Sequence, residues 1–139
     1  WDVAKQSQTP LVATHSNVHA ISPHARNLTD RQLAAIAGSD GMVGLNFAVA
    51  FLRPDGRMQS DTGFDIMLRH LDHLLEHLGE DRVGFGSDFD GTTVPEGIGD
   101  ASGLLALRQA MRAHGYNDAL MTKFCHANWV RVLGKIWKA

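Results

Sequence analysis

Arg82-Val83-Gly84-Phe85-Gly86-Ser87-Asp88-Phe89-Asp90-Gly91 is the stretch whose reading decides the architecture. Its first six residues are a short apolar run, which gives way at Asp88 to a loop marked by Gly91 and Pro95. α/β folds place their chemistry at the carboxyl ends of buried strands, because a rigid sheet aims the terminal side chain into a crevice. Pro10-Leu11-Val12-Ala13-Thr14-His15-Ser16 repeats the design with a histidine as the terminal group, so residues 10–15 are expected to form a buried strand. Gly41-Met42-Val43-Gly44-Leu45-Asn46-Phe47 is a third such run, nearly continuous in apolar character, as in a parallel sheet covered on both faces. A histidine and an aspartate offered by two strand ends suggest a metal-assisted or acid/base site.

Helical signals fill the spaces between these runs. Thr29-Asp30-Arg31-Gln32 has the form of a capping box, and the helix it opens should stop near Gly38. Phe64, Met67, Leu68, Leu71, Leu74, Leu75 and Leu78 recur at helical spacing, with Gly79 as the stop. A third amphipathic stretch runs from about Leu104 to His114 before Gly115, and Asn117 can cap a final helical region carrying Phe124, Trp129, Val132 and Leu133. Strands alternating with helices imply a parallel sheet with crossover helices. Three strands cannot close a barrel. They fit either a small doubly wound sheet or the closing part of an eight-stranded barrel, typically ~250 residues long. Functional groups at the strand ends favour the barrel, and residues 1–139 are expected to be one part of a single domain of that kind.

Composition narrows the function. A formal charge of −2 over 139 residues provides no basic field for nucleic acid. The lone Cys125 can form neither an internal disulfide nor a thiolate zinc cage. No apolar run is as long as a membrane span. The chain opens on Trp1-Asp2-Val3-Ala4 rather than on Met, and reads as though cut from something longer. The cytoplasm is the expected compartment, with secretion left open because no true N-terminus is visible.

The strings Ala13-Thr14-His15-Ser16-Asn17, Arg26-Asn27-Leu28-Thr29-Asp30, Val43-Gly44-Leu45-Asn46-Phe47, His70-Leu71-Asp72-His73 and Gly84-Phe85-Gly86-Ser87-Asp88-Phe89-Asp90-Gly91 occur in that order. Together with the tail Asn128-Trp129-Val130-Arg131-Val132-Leu133, they closely resemble the renal, or membrane, dipeptidase family of metallopeptidases. The resemblance implies a (β/α)8 TIM-type barrel with two zinc ions at its top. It places this chain over about the last three strand–helix units, as a C-terminal fragment. The remaining metal ligands and the metal-bridging glutamate would then belong to an N-terminal part of the barrel. That part is the expected partner, and self-association is the other way to cover an open sheet.

The resemblance assigns roles. His15 matches a zinc-binding histidine, and a neutral imidazole held by a strand end is a good zinc ligand. Arg26 matches the arginine that holds the free carboxylate of a dipeptide substrate, a task suited to a guanidinium fork. Asp88 matches the catalytic aspartate, which takes a proton from the metal-activated water and delivers it to the leaving amine. Asn46 and Phe47 should end the middle strand and shape the pocket. Phe51, in the loop beyond, is placed to contact substrate, and Asn17 and Asp90 are expected to support the site from behind. Each has a blander alternative: a hydrogen-bonded core histidine, a solvated loop arginine, an aspartate capping its own loop.

Other candidates are set aside. His70, His73 and His77 share one side of a helix, and His73 with His77 has metal-pair spacing, but without a His-Glu-x-x-His arrangement they read as residues at the helix's boundary. The loop after Asp88 fails the EF-hand template, with Gly91 too early and Gly99 where a glutamate is needed. The expected activity is zinc-dependent hydrolysis of dipeptides by the parent protein, with the fragment alone inactive. The alternatives are another binuclear-metal barrel hydrolase, acting on lactones, amidines or phosphotriesters, and a non-catalytic partial-barrel interaction module.

Overall fold

Three parallel strands carry the computed structural model, which describes residues 1–137. β1 (Val12–Ala13) pairs with β2 (Met42–Asn46), and β2 pairs with β3 (Val83–Ser87), so spatial order follows chain order without reversal. Val43 lies opposite Val83 and Leu45 opposite Phe85, after which the register shifts to put Asn46 opposite Ser87. The shift leaves Gly86 as the extra residue of a bulge, a device that re-aims the side chains that follow. Lys138 and Ala139, the last residues of the expected domain, lie outside the described residues.

The helices are α1 (Asp2–Gln6), α2 (Asp30–Gly38), α3 (Val49–Leu52), α4 (Phe64–Leu78), α5 (Leu104–His114), α6 (Asp118–Thr122) and α7 (Asn128–Trp137), with a π-helical turn at Lys123–Ala127 between the last two. The expected starts and stops are in place. Gln32 Oε1 accepts from the Thr29 amide at 2.8 Å, the Asn117 side chain accepts from Leu120 N, and Gly79 (φ 75°) and Gly115 (φ 108°) end their helices. α4 buries Met67, Leu71 and Leu74 completely, each stabilising the fold by about 1.5–3 kcal/mol. With Leu33 and Ile36 of α2 they join Val43, Leu45 and Val83 in the main core.

The opposite sheet face is built from Met42, Gly44, Gly84 and Gly86, on which Trp129 of α7 lies while donating to Phe85 O at 3.0 Å. α7 clasps the amino ends of the strands. Asn128 Nδ2 donates to the carbonyls of Glu80 and Val83, both at 2.7 Å, and Arg131 donates to Asp81 O and Gly41 O, both at 3.0 Å. Asp40 accepts from Lys135, Arg131 and Arg82, and the Lys135 hydrogen bond in particular holds its carboxyl below the usual range. One end of the sheet is thus closed, leaving the carboxyl ends of the strands as the other.

Three expectations need correction. β1 has only two residues, both half-buried, because the chain leaves the sheet at Thr14. Phe51 sits in the short α3 rather than in a loop. His70 is 0% exposed, a core residue rather than one at the boundary of its helix. Among the described residues no helix is long and apolar enough to cross a membrane.

Candidate active site

The departure of the chain from β1 builds the site. Thr14 and His15 swing across the glycine face, where a Cβ at Gly86 would strike Thr14 O and stand 2.8 Å from His15 Cα. Ser16 N then returns to Gly44 O at 2.9 Å. Only glycine at position 86 leaves room for this crossing, which seats the backbone of His15 two residues from Asp88.

Asn17 replaces the strand that β1 no longer supplies. Its Oδ1 accepts from Asn46 N at 2.9 Å and its Nδ2 donates to Asn46 O at 3.0 Å. Both asparagines are 0% exposed, so these bonds satisfy backbone groups that water cannot reach. Asn46 passes the order on: its Oδ1 accepts from Ala48 N at 2.6 Å and its Nδ2 donates to Asp88 Oδ2 at 3.1 Å. Ser87 (φ 39°) and Asp88 (φ 78°) have left-handed backbones, each costing of the order of 1–3 kcal/mol. Such conformations persist where the surroundings over-determine them, here through the bulge and the Asn46 amide.

A second group forms around His15. Its Nδ1 lies 2.7 Å from Thr14 Oγ1, and its Nε2 lies 3.5 Å from Arg26 Nη2. A guanidinium has donors only, so Nε2 faces it with a lone pair and the ring hydrogen sits on Nδ1, donated to Thr14. That tautomer puts the Nε2 lone pair toward the guanidinium, and makes it a ligand atom once Arg26 turns to another acceptor. Arg26 is exposed and packs its guanidinium over the Phe51 ring, 5.3 Å from the centroid. Its backbone N–H donates to His24 Nδ1 at 3.2 Å, and the His24 ring lies 4.6 Å from that of Phe51. Asn27 Nδ2 holds the loop to α3 through Ser22 O and Phe51 O, at 2.9 and 2.8 Å.

The structure therefore gathers His15, Arg26 and Phe51 into one set and Asn17, Asn46 and Asp88 into another. The two sets join through the crossing at Gly86 and the short step from His15 to Asn17. The Asp88 carboxylate lies over Gly91 of its own loop, and among the described residues its one side-chain hydrogen bond is the one from Asn46. Asp90 stays apart, exposed on the turn, and among the described residues it makes no side-chain hydrogen bond.

Sequence reasoning missed His24, Asn27 and above all His70. His70 Nδ1 accepts from Val18 N at 3.1 Å while Nε2 donates to Leu52 O at 2.9 Å, tying the loop after His15 to the helix that holds Phe51. Burial pushes its pKa down to about 4, so the ring is neutral at physiological pH. Its position inside the 67, 71, 74 apolar stripe was the available signal. Among the described residues one group of His, Cys, Asp and Glu ligand atoms comes close enough to hold an ion: Asp30, His73 and His77. It lies where α2 meets α4.

The membrane dipeptidase model, peptidase family M19, matches residues 1–139. The chain belongs to the membrane dipeptidase family. Among solved members, the dipeptidase AC, a family M19 metallo peptidase, is 62% identical and superposes with a TM-score of 0.98 over 99% of this chain and 41% of its own. A metallo peptidase from Rhodobacter sphaeroides, liganded with a phosphinate mimic of the dipeptide L-Ala-D-Ala, is also 62% identical, with a TM-score of 0.97 over 98% of this chain and 39% of its own. An uncharacterized Klebsiella pneumoniae protein from the pqqA 5′ region is 51% identical over 138 residues, which are 99% of this chain and 51% of that protein. This membrane dipeptidase family chain thus spans about half the length of that relative, and less of the two solved structures.

Proposed function

We propose that the full-length protein is a zinc-dependent dipeptidase. His15, Arg26 and Asp88 would act at the top of a (β/α)8 barrel, of which these three strand–helix units are the closing part. The observation that carries the reading is the placement of the Arg26 guanidinium beside the Nε2 lone pair of His15. A ligand imidazole next to a carboxylate-binding fork suits a substrate whose scissile bond lies one residue from a free C-terminus. The unreversed parallel order of the strands supports the barrel.

His15 fits zinc through its tautomer, with Nδ1 committed to Thr14 and the Nε2 lone pair given to the metal when Arg26 turns from it to the substrate carboxylate. Zinc, when bound, supplies a Lewis acid that lowers the pKa of water and polarises a carbonyl. Arg26 pairs with the substrate's terminal carboxylate, and so rejects longer peptides, whose internal amide offers no such group. Phe51 backs the guanidinium and limits its rotamers. Asp88, aimed by Asn46, takes a proton from the attacking water and returns it to the departing amine nitrogen. Asn17 orients Asn46 from behind, and Asn46 both aims Asp88 and lines the pocket that takes the substrate. The Rhodobacter relative's ligand extends the proposed substrates to dipeptides with a D-residue in second place.

A single imidazole does not hold two metal ions, so the 139 residues alone are expected to be inactive and to need the rest of the barrel, or self-association, to pair the open edges of the sheet. Steady-state hydrolysis of L-Ala-D-Ala by the zinc-loaded full-length protein tests the reading. Asp88→Asn should lower kcat by about 100-fold or more while the fold is retained. Wild-type turnover by Asp88→Asn would remove the assignment.

A further inference from the structure

We propose that Asp30, His73 and His77 form a second cation site, for a divalent first-row transition ion of the zinc class, on the helical side of the fold. His73 and His77 are one turn apart on α4 and therefore share a face. Their rings are stacked with centroids 4.3 Å apart and planes at 24°. Asp30, the first residue of α2, closes the group from a different element: its Oδ1 is 2.7 Å from His73 Nε2 and 3.9 Å from His77 Nε2. All three ligand atoms lie within 4.8 Å of one another.

Tetrahedral zinc, with bonds of about 2.0–2.1 Å, holds its ligand atoms about 3.3 Å apart, so shifts of about 1 Å complete the geometry. The side chains of His73 and His77 are 20% and 29% exposed, sheltered enough to be held yet open enough to admit an ion with water as the fourth ligand. α2 and α4 also pack against each other and bury Leu33, Leu71 and Leu74 in the same core, giving the ligands rigid supports.

A plain helix-to-helix ion pair accounts for less of this arrangement. His73 alone satisfies Asp30 Oδ1, whereas His77 is beyond hydrogen-bond reach of that oxygen and yet stacks with its Nε2 beside it. Two imidazole nitrogens and a carboxylate are a set that suits zinc, nickel and copper. Binding requires each imidazole to carry its hydrogen on Nδ1. An ion there would lock α2 to α4 and fix the start of α2, four residues after Arg26. It would thereby steady the loop that presents the guanidinium.

Calorimetric titration of zinc chloride into the purified protein at pH 7.5, with parallel thermal unfolding, tests the site. Wild type should bind one zinc equivalent that His77→Gln loses and that His15→Gln keeps. The unfolding midpoint should rise with zinc in wild type but not in His77→Gln. Asp30→Asn, which can still accept the His73 hydrogen bond and so preserves the helix contact, should weaken that equivalent by about tenfold or more. Unchanged stoichiometry and affinity in both His77→Gln and Asp30→Asn would overturn the proposal. The readouts do not involve dipeptide turnover, so the result stands apart from the fate of the proposed activity.

Discussion

His70 makes the stability of this fold depend on pH in a window that carboxylates do not reach. In the folded state its Nδ1 accepts from Val18 N and its Nε2 donates to Leu52 O, an arrangement only a neutral ring can make. Burial is the main cause of a folded pKa of about 4 against 6.5 for a free imidazole. Below pH 6.5 the unfolded chain takes up a proton that the folded chain refuses until about pH 4, so stability falls as pH falls through that window and is whole above it. At 1.36 kcal/mol per pH unit, the loss is about 3 kcal/mol. Urea unfolding at half-unit steps from pH 7.5 to 4 measures it, and His70→Gln supplies the control. At pH 7.5 the variant should be less stable by about 1–3 kcal/mol, since the buried Val18 amide loses its acceptor. Between pH 6.5 and 4 its curve should be flatter than wild type by the stated amount. Parallel curves for the two proteins would refute a neutral, locked His70.

Gly86→Ala should destabilise the protein by about 1–3 kcal/mol and lower kcat, because the new methyl displaces the Thr14–His15 crossing; denaturant melts and dipeptide kinetics read both effects. Asn17→Ala should cost at least about 1–3 kcal/mol, since the amide and carbonyl of Asn46 are left buried without partners. It should also slow turnover through the freed Asn46–Asp88 contact. Arg131→Ala should lower stability by about 1.5–3 kcal/mol by releasing α7 from Gly41 and Asp81, with no change in the KM of the surviving folded protein.

Features set by neighbours in the chain were legible in the sequence. β3 and the Asp88 turn declared themselves through an apolar run that ended in a carboxylate and glycine. α4 did so through leucines three and four apart, and α2 through its capping box. What escaped depends on partners far along the chain. Residues 10–15 have the look of a six-residue strand, yet β1 stops at Ala13 because Gly86, more than seventy residues away, lets the backbone cross the sheet. His70 read as a boundary residue because nothing local reveals the amide of Val18, 52 positions upstream. The same holds for Asp30 and His73, 43 residues apart. The π turn at Lys123–Ala127 is hidden for a different reason: it lies inside one helical region, and a single extra residue per turn leaves no distinct mark on the apolar pattern. The roles of His15, Arg26 and Asp88 came from resemblance to a family, since composition and spacing reached no further than a metal-assisted or acid/base site.

Carboxylate recognition by Arg26 is the claim on which the dipeptidase reading turns. Comparing kcat/KM for L-Ala-D-Ala and for its C-terminal amide, in the full-length wild type and in Arg26→Ala, tests it most directly. Wild type should prefer the free acid strongly, and Arg26→Ala should lose that preference mainly through a rise in KM for the acid. Equal use of acid and amide by wild type, or an undiminished preference in Arg26→Ala, would contradict the account.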